Sequence, residues 1–256
     1  MLFATWVSTF LLASAAFAAP EGQVRRTRRA AGRQTKPFQR IQITGVSDAS
    51  AASNVSHVEY SSNWAGAVLE YPAVTGTITV PTPSPPDGSA SAWVGIDGFT
   101  CQTAIFQTGI DFNLVNGVVS YDAWYEWFPD YAYYFNGITI NSGDVVQLNV
   151  TASSTTTGTA AIRNLSNGQT VSKSLSYPEY PLCEQDAEWI IEDFSSGGGL
   201  VPLCDFGTVT FTNAYAYTND GGILTPCGAT ELDIEQGSVL TSVSESSSCA
   251  VTVRYV

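Results

Sequence analysis

An acidic side chain among apolar neighbours is the first chemical signal in this chain. Residues 187–194 read AEWIIEDF, and in an extended strand alternate residues share a face. Glu188, Ile190, Glu192 and Phe194 then point one way, and Trp189, Ile191 and Asp193 the other. Apolar surroundings desolvate a carboxylate, raise its pKa and suit it to proton transfer in acid. In AIFQTG (104–109), Gln107 shares its face with Ile105 and Gly109. A Glu paired with a Gln could hydrolyse a peptide bond in acid. Taken singly, each has a plainer reading: a structural Glu in a half-buried strand, and a surface Gln.

Other chemistries are disfavoured. His57 is the single histidine and lies beside the expected maturation point, so a Ser-His-Asp or Cys-His enzyme would depend wholly on it. No Asp-Thr-Gly or Asp-Ser-Gly occurs, which disfavours a paired-aspartate peptidase. No glycine-rich phosphate loop precedes a helix, and one histidine without a CxxC makes a zinc site a poor expectation. Neither a metal nor a cofactor is expected. Trp93 and Asp97 share a face in SAWVGIDG, as do Asp122, Trp124 and Glu126 in YDAWYEW. The plain alternatives are core tryptophans and, for Asp97 before Gly98, a turn cap.

The elements that must position these groups read as strands. Segments 63–71, 75–82, 91–98, 118–129, 137–142, 145–152, 158–165, 208–217 and 249–256 are rich in Val, Thr, Tyr and Trp. Turn residues separate them, as at Asn167-Gly168 and Asp220-Gly221. No helical periodicity of useful length competes. Many short antiparallel strands in about 200 residues predict an all-β, two-sheet sandwich or barrel with a Trp/Tyr-rich face. Asn54, Asn149 and Asn164 begin glycosylation sequons. Asn54 falls in the leader and Asn149 in a strand, so Asn164, near a hairpin, is the favoured one.

Charge divides the chain. Residues 1–19 form an apolar run ending in Ala-Phe-Ala, which predicts a secretory signal and an extracellular, acidic workplace. Seven of the ten Lys and Arg lie between residues 20 and 54 against two acidic residues; beyond, three face 21. We expect a signal at 1–19, a basic pro-segment at 20–54 and a catalytic domain at 55–256. So acidic a body excludes nucleic acid as a partner. With few cations, it also gathers little positive charge in acid. Five cysteines in an exported chain predict disulfides with one thiol left over.

The motifs SNWAG (62–66), AWVGIDG (92–98), TCQTAIFQTG (100–109), YDAWYEWFP (121–129) and AEWIIEDF (187–194) resemble, in order, those of the eqolisins, the glutamic peptidases of fungi. The resemblance implies a curved, two-sheet antiparallel β-sandwich, made as a secreted preproenzyme and acting on proteins or peptides in acid. It assigns catalysis to Gln107 and Glu192 and substrate contacts to Trp64, Trp93, Asp97, Trp124 and Glu126. It also implies a Cys101–Cys183 disulfide. Cys204, Cys227 and Cys249 depart from the familiar pattern, and Phe106 stands where Leu is usual. A monomer without membrane contact is expected. The alternatives are a glycosidase using Glu126 and Glu192, or a sugar-binding sandwich using Trp64, Trp93 and Trp124. Charge suggests that the basic segment docks across an acidic cleft containing Asp97, Glu126 and Glu192, with dibasic processing as the other route to its removal.

Overall fold

The computed structural model describes residues 32–42, 58–69, 73–218 and 220–256. The expected signal at 1–19, the RRTRR run, Asn54 and His57 lie outside the described residues.

Alternating burial builds the back sheet. In Val145–Ser154, Val146, Leu148 and Val150 are fully buried, while Gln147, Asn149 and Thr151 turn outward. The sheet runs in the order Thr170–Ser176, Thr157–Asn164, Val145–Ser154, Ala73–Thr79, Thr208–Tyr217, Val251–Tyr255, Thr241–Glu245, with Ile223–Leu224 paired to the side.

The front sheet differs because both its faces are covered. Its order is Val58–Ser61, Thr230–Ile234, Trp64–Leu69, Ala187–Glu192, Gly88–Ile96, Ile105–Val115, Val118–Phe128, Tyr133–Tyr134. It is antiparallel except where Thr230–Ile234 runs parallel to Val58–Ser61. One face, with Ala92, Val94, Phe106, Ile110, Trp189 and Ile191, packs on the back sheet in the main core. The other carries Trp64, Trp93, Trp124, Ile105 and Ile190, with Phe38 laid against them. Every residue of Ala187–Glu192 is therefore buried, although the strand keeps its alternation.

Residues 137–142, expected as a strand, have none. Their backbone pairs with side chains instead: Thr139 N–H donates to Gln169 Oε1, and Thr139 O accepts from the amides of Asn164 and Asn167. Cys101 is bonded to Cys183 across an 82-residue span, tying the loop before Gln107 to the loop before Glu192. Cys227 is bonded to Cys249, and Cys204 is a buried free thiol.

Candidate active site

Strand register sets the candidate side chains on the outer face of the front sheet. Residues opposite one another in antiparallel strands point to the same side. One row across the sheet is Trp64, Glu192, Ser91, Asp111. The next is Ile190, Trp93, Gly109, Trp124, and the third is Glu188, Gly95, Gln107, Glu126. Glu192 and Gln107 thus lie diagonally across Trp93. Two glycines make room for its indole. A Cβ on Gly95 would stand 2.8 Å from Trp93 Cζ3, and one on Gly109 2.6 Å from Trp93 Cβ and 2.8 Å from Trp124 Cζ2.

Glu192, Glu126 and Gln107 are fully buried. Burial pushes the Glu192 carboxyl up to about 8, against opposing contributions from the Arg33 charge and hydrogen bonds from Thr35, Lys36 and Trp93. Glu126 is also pushed up to about 8 by burial, with Arg33 opposing and the Glu192 charge adding to the rise. Gln107 stands apart: neither its Nε2 nor its Oε1 has a partner among the described residues. An unpaired buried amide costs roughly 1–3 kcal/mol, and such groups in a native fold call for an explanation.

Residues 33–36 of the basic segment lie in this site. Arg33–Gln34 adds to the edge of Ser195–Ser196, which pairs in turn with Gly199–Leu200. Arg33 is buried, with Nε 2.9 Å from Asp111 Oδ2 and Nη1 3.0 Å from Glu126 Oε2. Its guanidinium lies 3.7 Å over the Trp124 ring centroid, and Nη2 donates to Ser91 Oγ at 3.1 Å. Burial alone would lower its pKa, but Asp111 and then Glu126 more than offset that. Thr35 bridges the two glutamates, its N–H donating to Glu126 at 3.1 Å and its Oγ1 to Glu192 Oε2 at 2.9 Å. Lys36 N–H reaches Glu192 Oε1 at 3.2 Å, and Trp93 Nε1 reaches Oε2 at 3.1 Å. Further along, Asn63 Nδ2 donates to Lys36 O, and Phe38 N–H donates to Gly98 O.

The sequence-derived candidates divide. Trp64, Trp93, Trp124, Glu126, Glu192 and Gln107 share the one face; Trp64 meets Trp93 edge-on at 4.9 Å. Asp97 does not follow them. Its strand ends at Ile96, and a φ of 67° breaks the alternation that would have set it beside Trp93. Its carboxylate accepts the backbone N–H groups of Cys183, Glu184, Gln185 and Asp186, anchoring the disulfide loop. Burial raises its pKa despite these bonds. Asp111 and Ser91 were missed, although alternation from Gln107 and Trp93 could have found both. Glu188 was placed on the face but given no task. It is fully buried without a hydrogen-bond partner among the described residues, and desolvation holds its carboxyl well above the ordinary range, with Asp186 and Asp97 adding to the rise.

Comparison with known proteins identifies the family. Residues 62–255 match the Peptidase A4 family. The chain is 47% identical to aspergillopepsin-2 of Aspergillus niger over the whole of both chains. It is 43% identical to scytalidopepsin B of Scytalidium lignicola over 84% of each. Among solved structures, a scytalido-glutamic peptidase with a transition-state analogue inhibitor matches with a TM-score of 0.71 and 42% identity, covering 76% of this chain and 98% of that one. The aspergilloglutamic peptidase of Aspergillus niger matches at 0.63 and 56% identity, over 66% and 99%. With a buried Glu and Gln on one face of a β-sandwich and relatives at this identity, the chain belongs to the Peptidase A4 (eqolisin) family and is a peptidase.

Proposed function

We propose that this is a secreted acid endopeptidase whose hydrolytic pair is Glu192 and Gln107, held shut by its own basic segment. The observation that carries the reading is the contrast between the two side chains. Both oxygens of Glu192 are bonded by Thr35, Lys36 and Trp93, whereas the buried amide of Gln107 has no partner among the described residues. Such an amide suits a carbonyl oxygen that becomes an oxyanion only during reaction. Once the segment has left and water solvates the carboxyl, the desolvation that held its pKa up is relieved, and Glu192 takes a proton from the attacking water and returns it to the leaving nitrogen. Gln107 donates its N–H to the oxyanion and orients the water through Oε1.

The segment around Thr35 blocks without being cut. It offers Glu192 a hydroxyl and an N–H, occupying an acceptor site on each carboxylate oxygen, and among the described residues it brings no carbonyl to Gln107. Arg33 is its main tether. Glu126, pushed up to about 8, gives up its charge early on acidification, and loss of the Asp111 partner as well leaves that buried cation uncompensated, at a cost of roughly 3–5 kcal/mol. The segment then leaves, and the open site removes it. Purified full-length wild type and Glu192→Gln, held in acid and followed by intact mass, test the reading. Wild type should lose its leader near residues 54–58 and then hydrolyse denatured casein, while Glu192→Gln keeps the leader. Equal trimming of both would overturn autocatalysis, and casein hydrolysis by Glu192→Gln would overturn the pair.

A further inference from the structure

We propose that Asn149 carries an N-linked oligosaccharide on the outer face of the back sheet. The inference rests on the export reading, since lipid-linked sugar donors act in the secretory pathway. Two complete sequons lie among the described residues, Asn149-Val150-Thr151 and Asn164-Leu165-Ser166. The structure reverses the preference that hairpin position gave to Asn164. That residue is fully buried, its Nδ2 donating to Thr139 O at 3.0 Å and to Asp144 Oδ2 at 2.7 Å. Its Oδ1 accepts the N–H groups of Ser166 at 3.0 Å and Asn167 at 3.3 Å. Both amide hydrogens are in use, and a sugar on that nitrogen would have no way out.

Asn149 is the opposite case. Its strand buries Val146, Leu148 and Val150 and turns half-buried Gln147 and Asn149 and exposed Thr151 to the outer face. Thr151 Oγ1 donates to Asn149 Oδ1 at 3.2 Å, and Asn149 Nδ2 donates to no described residue. Across the sheet its partners are Thr75 and Ala161. Thr75 is buried, so the side toward Ala161, which is half-buried and carries only a methyl group, is the more open of the two. This face lies across both sheets from Glu192, so a glycan there does not meet the cleft. In the transfer, Nδ2 gains a bond to the sugar's C1 and gives up one proton to solvent. The lipid diphosphate carrier leaves with the electrons of the broken C1–O bond.

The test is secretion of the full chain from a yeast host, once with its own residues 1–19 and once with a host signal in their place. The purified protein is treated with peptide N-glycosidase in heavy-oxygen water and mapped by mass. The expected result is the Asn-to-Asp label at Asn149 and none at Asn164. Asn149→Gln and Thr151→Ala should each remove that sugar, with folding monitored by thermal melting. Secreted protein with unmodified Asn149, or sugar on Asn164, overturns the proposal. Failure of the native signal alone would instead overturn the export reading, because the host-signal arm still reads the site.

Discussion

Under the proposed mechanism, with Glu192 as proton carrier and Gln107 as oxyanion donor, substitutions at the two residues separate chemistry from packing. Glu192→Gln keeps volume and polarity but loses the proton carrier, so kcat should fall by about 10²–10⁴, the usual range for a lost general acid–base group. Gln107→Ala removes one oxyanion donor and should cost about 10²–10³ in kcat. Both variants should melt within a few degrees of wild type in acid. Gln107 has no hydrogen bonds to lose among the described residues, and Glu192→Gln forfeits acceptor capacity mainly toward Thr35 and Lys36 of the basic segment. Turnover near wild type in either variant, measured on a peptide at pH 3–4, would remove that residue from the mechanism.

Strand addition by Arg33–Gln34 is the decisive contact between elements. Its ion pairs are buried, so salt screens them poorly, whereas the half-exposed pair of Arg40 with Glu59 is open to screening. Arg33→Met should therefore loosen the segment at neutral pH far more than molar salt does. The expected outcome is release of the leader at a higher pH than in wild type, read by limited proteolysis of a Glu192→Gln background. Thr35→Val should weaken docking less, because it deletes one hydroxyl bond to Glu192 and leaves the backbone donors in place. Release profiles of Arg33→Met and wild type that coincide would remove Arg33 as the tether.

Across the whole molecule, buried acids set the dependence of stability on pH. Burial pushes Glu126 and Glu192 up to about 8 and Asp193 to about 7, and raises Glu188 as well. Between the ordinary carboxylate range and these values the folded chain holds more protons than the unfolded chain. Stability therefore falls as pH rises from about 4.5 to about 8, and nothing is lost to these groups below that window. The melting temperature of the full chain should drop steadily across it. Glu188→Gln removes one ionisable group, so its melting temperature should gain on wild type at pH 7.5 and differ little at pH 3.5. Equal shifts at both pH values would show that ionisation of Glu188 is not the cause.

Much of this was legible in the residues. Period-two alternation is local, so the strands and the shared face of Trp124 with Glu126 follow from sequence, as does the burial of Glu192. The lopsided charge pointed to a basic segment on an acidic body. Local pattern fails where tertiary contacts take over the backbone. Residues 137–142 look like a strand but give their hydrogen bonds to the side chains of Gln169, Asn164 and Asn167. Asp97 continues a strand pattern but turns at a positive φ to hold the loop at Cys183. Only the tertiary structure decided that Arg33 is the buried cation, because seven Lys and Arg in the segment are equivalent by charge. Strand register brings Asp111, Ser91 and Glu126 from separate strands together, and the Arg33 guanidinium contacts all three. Sequence supplies the alternation; the order and register of strands, fixed by long-range pairing, decide which faces meet.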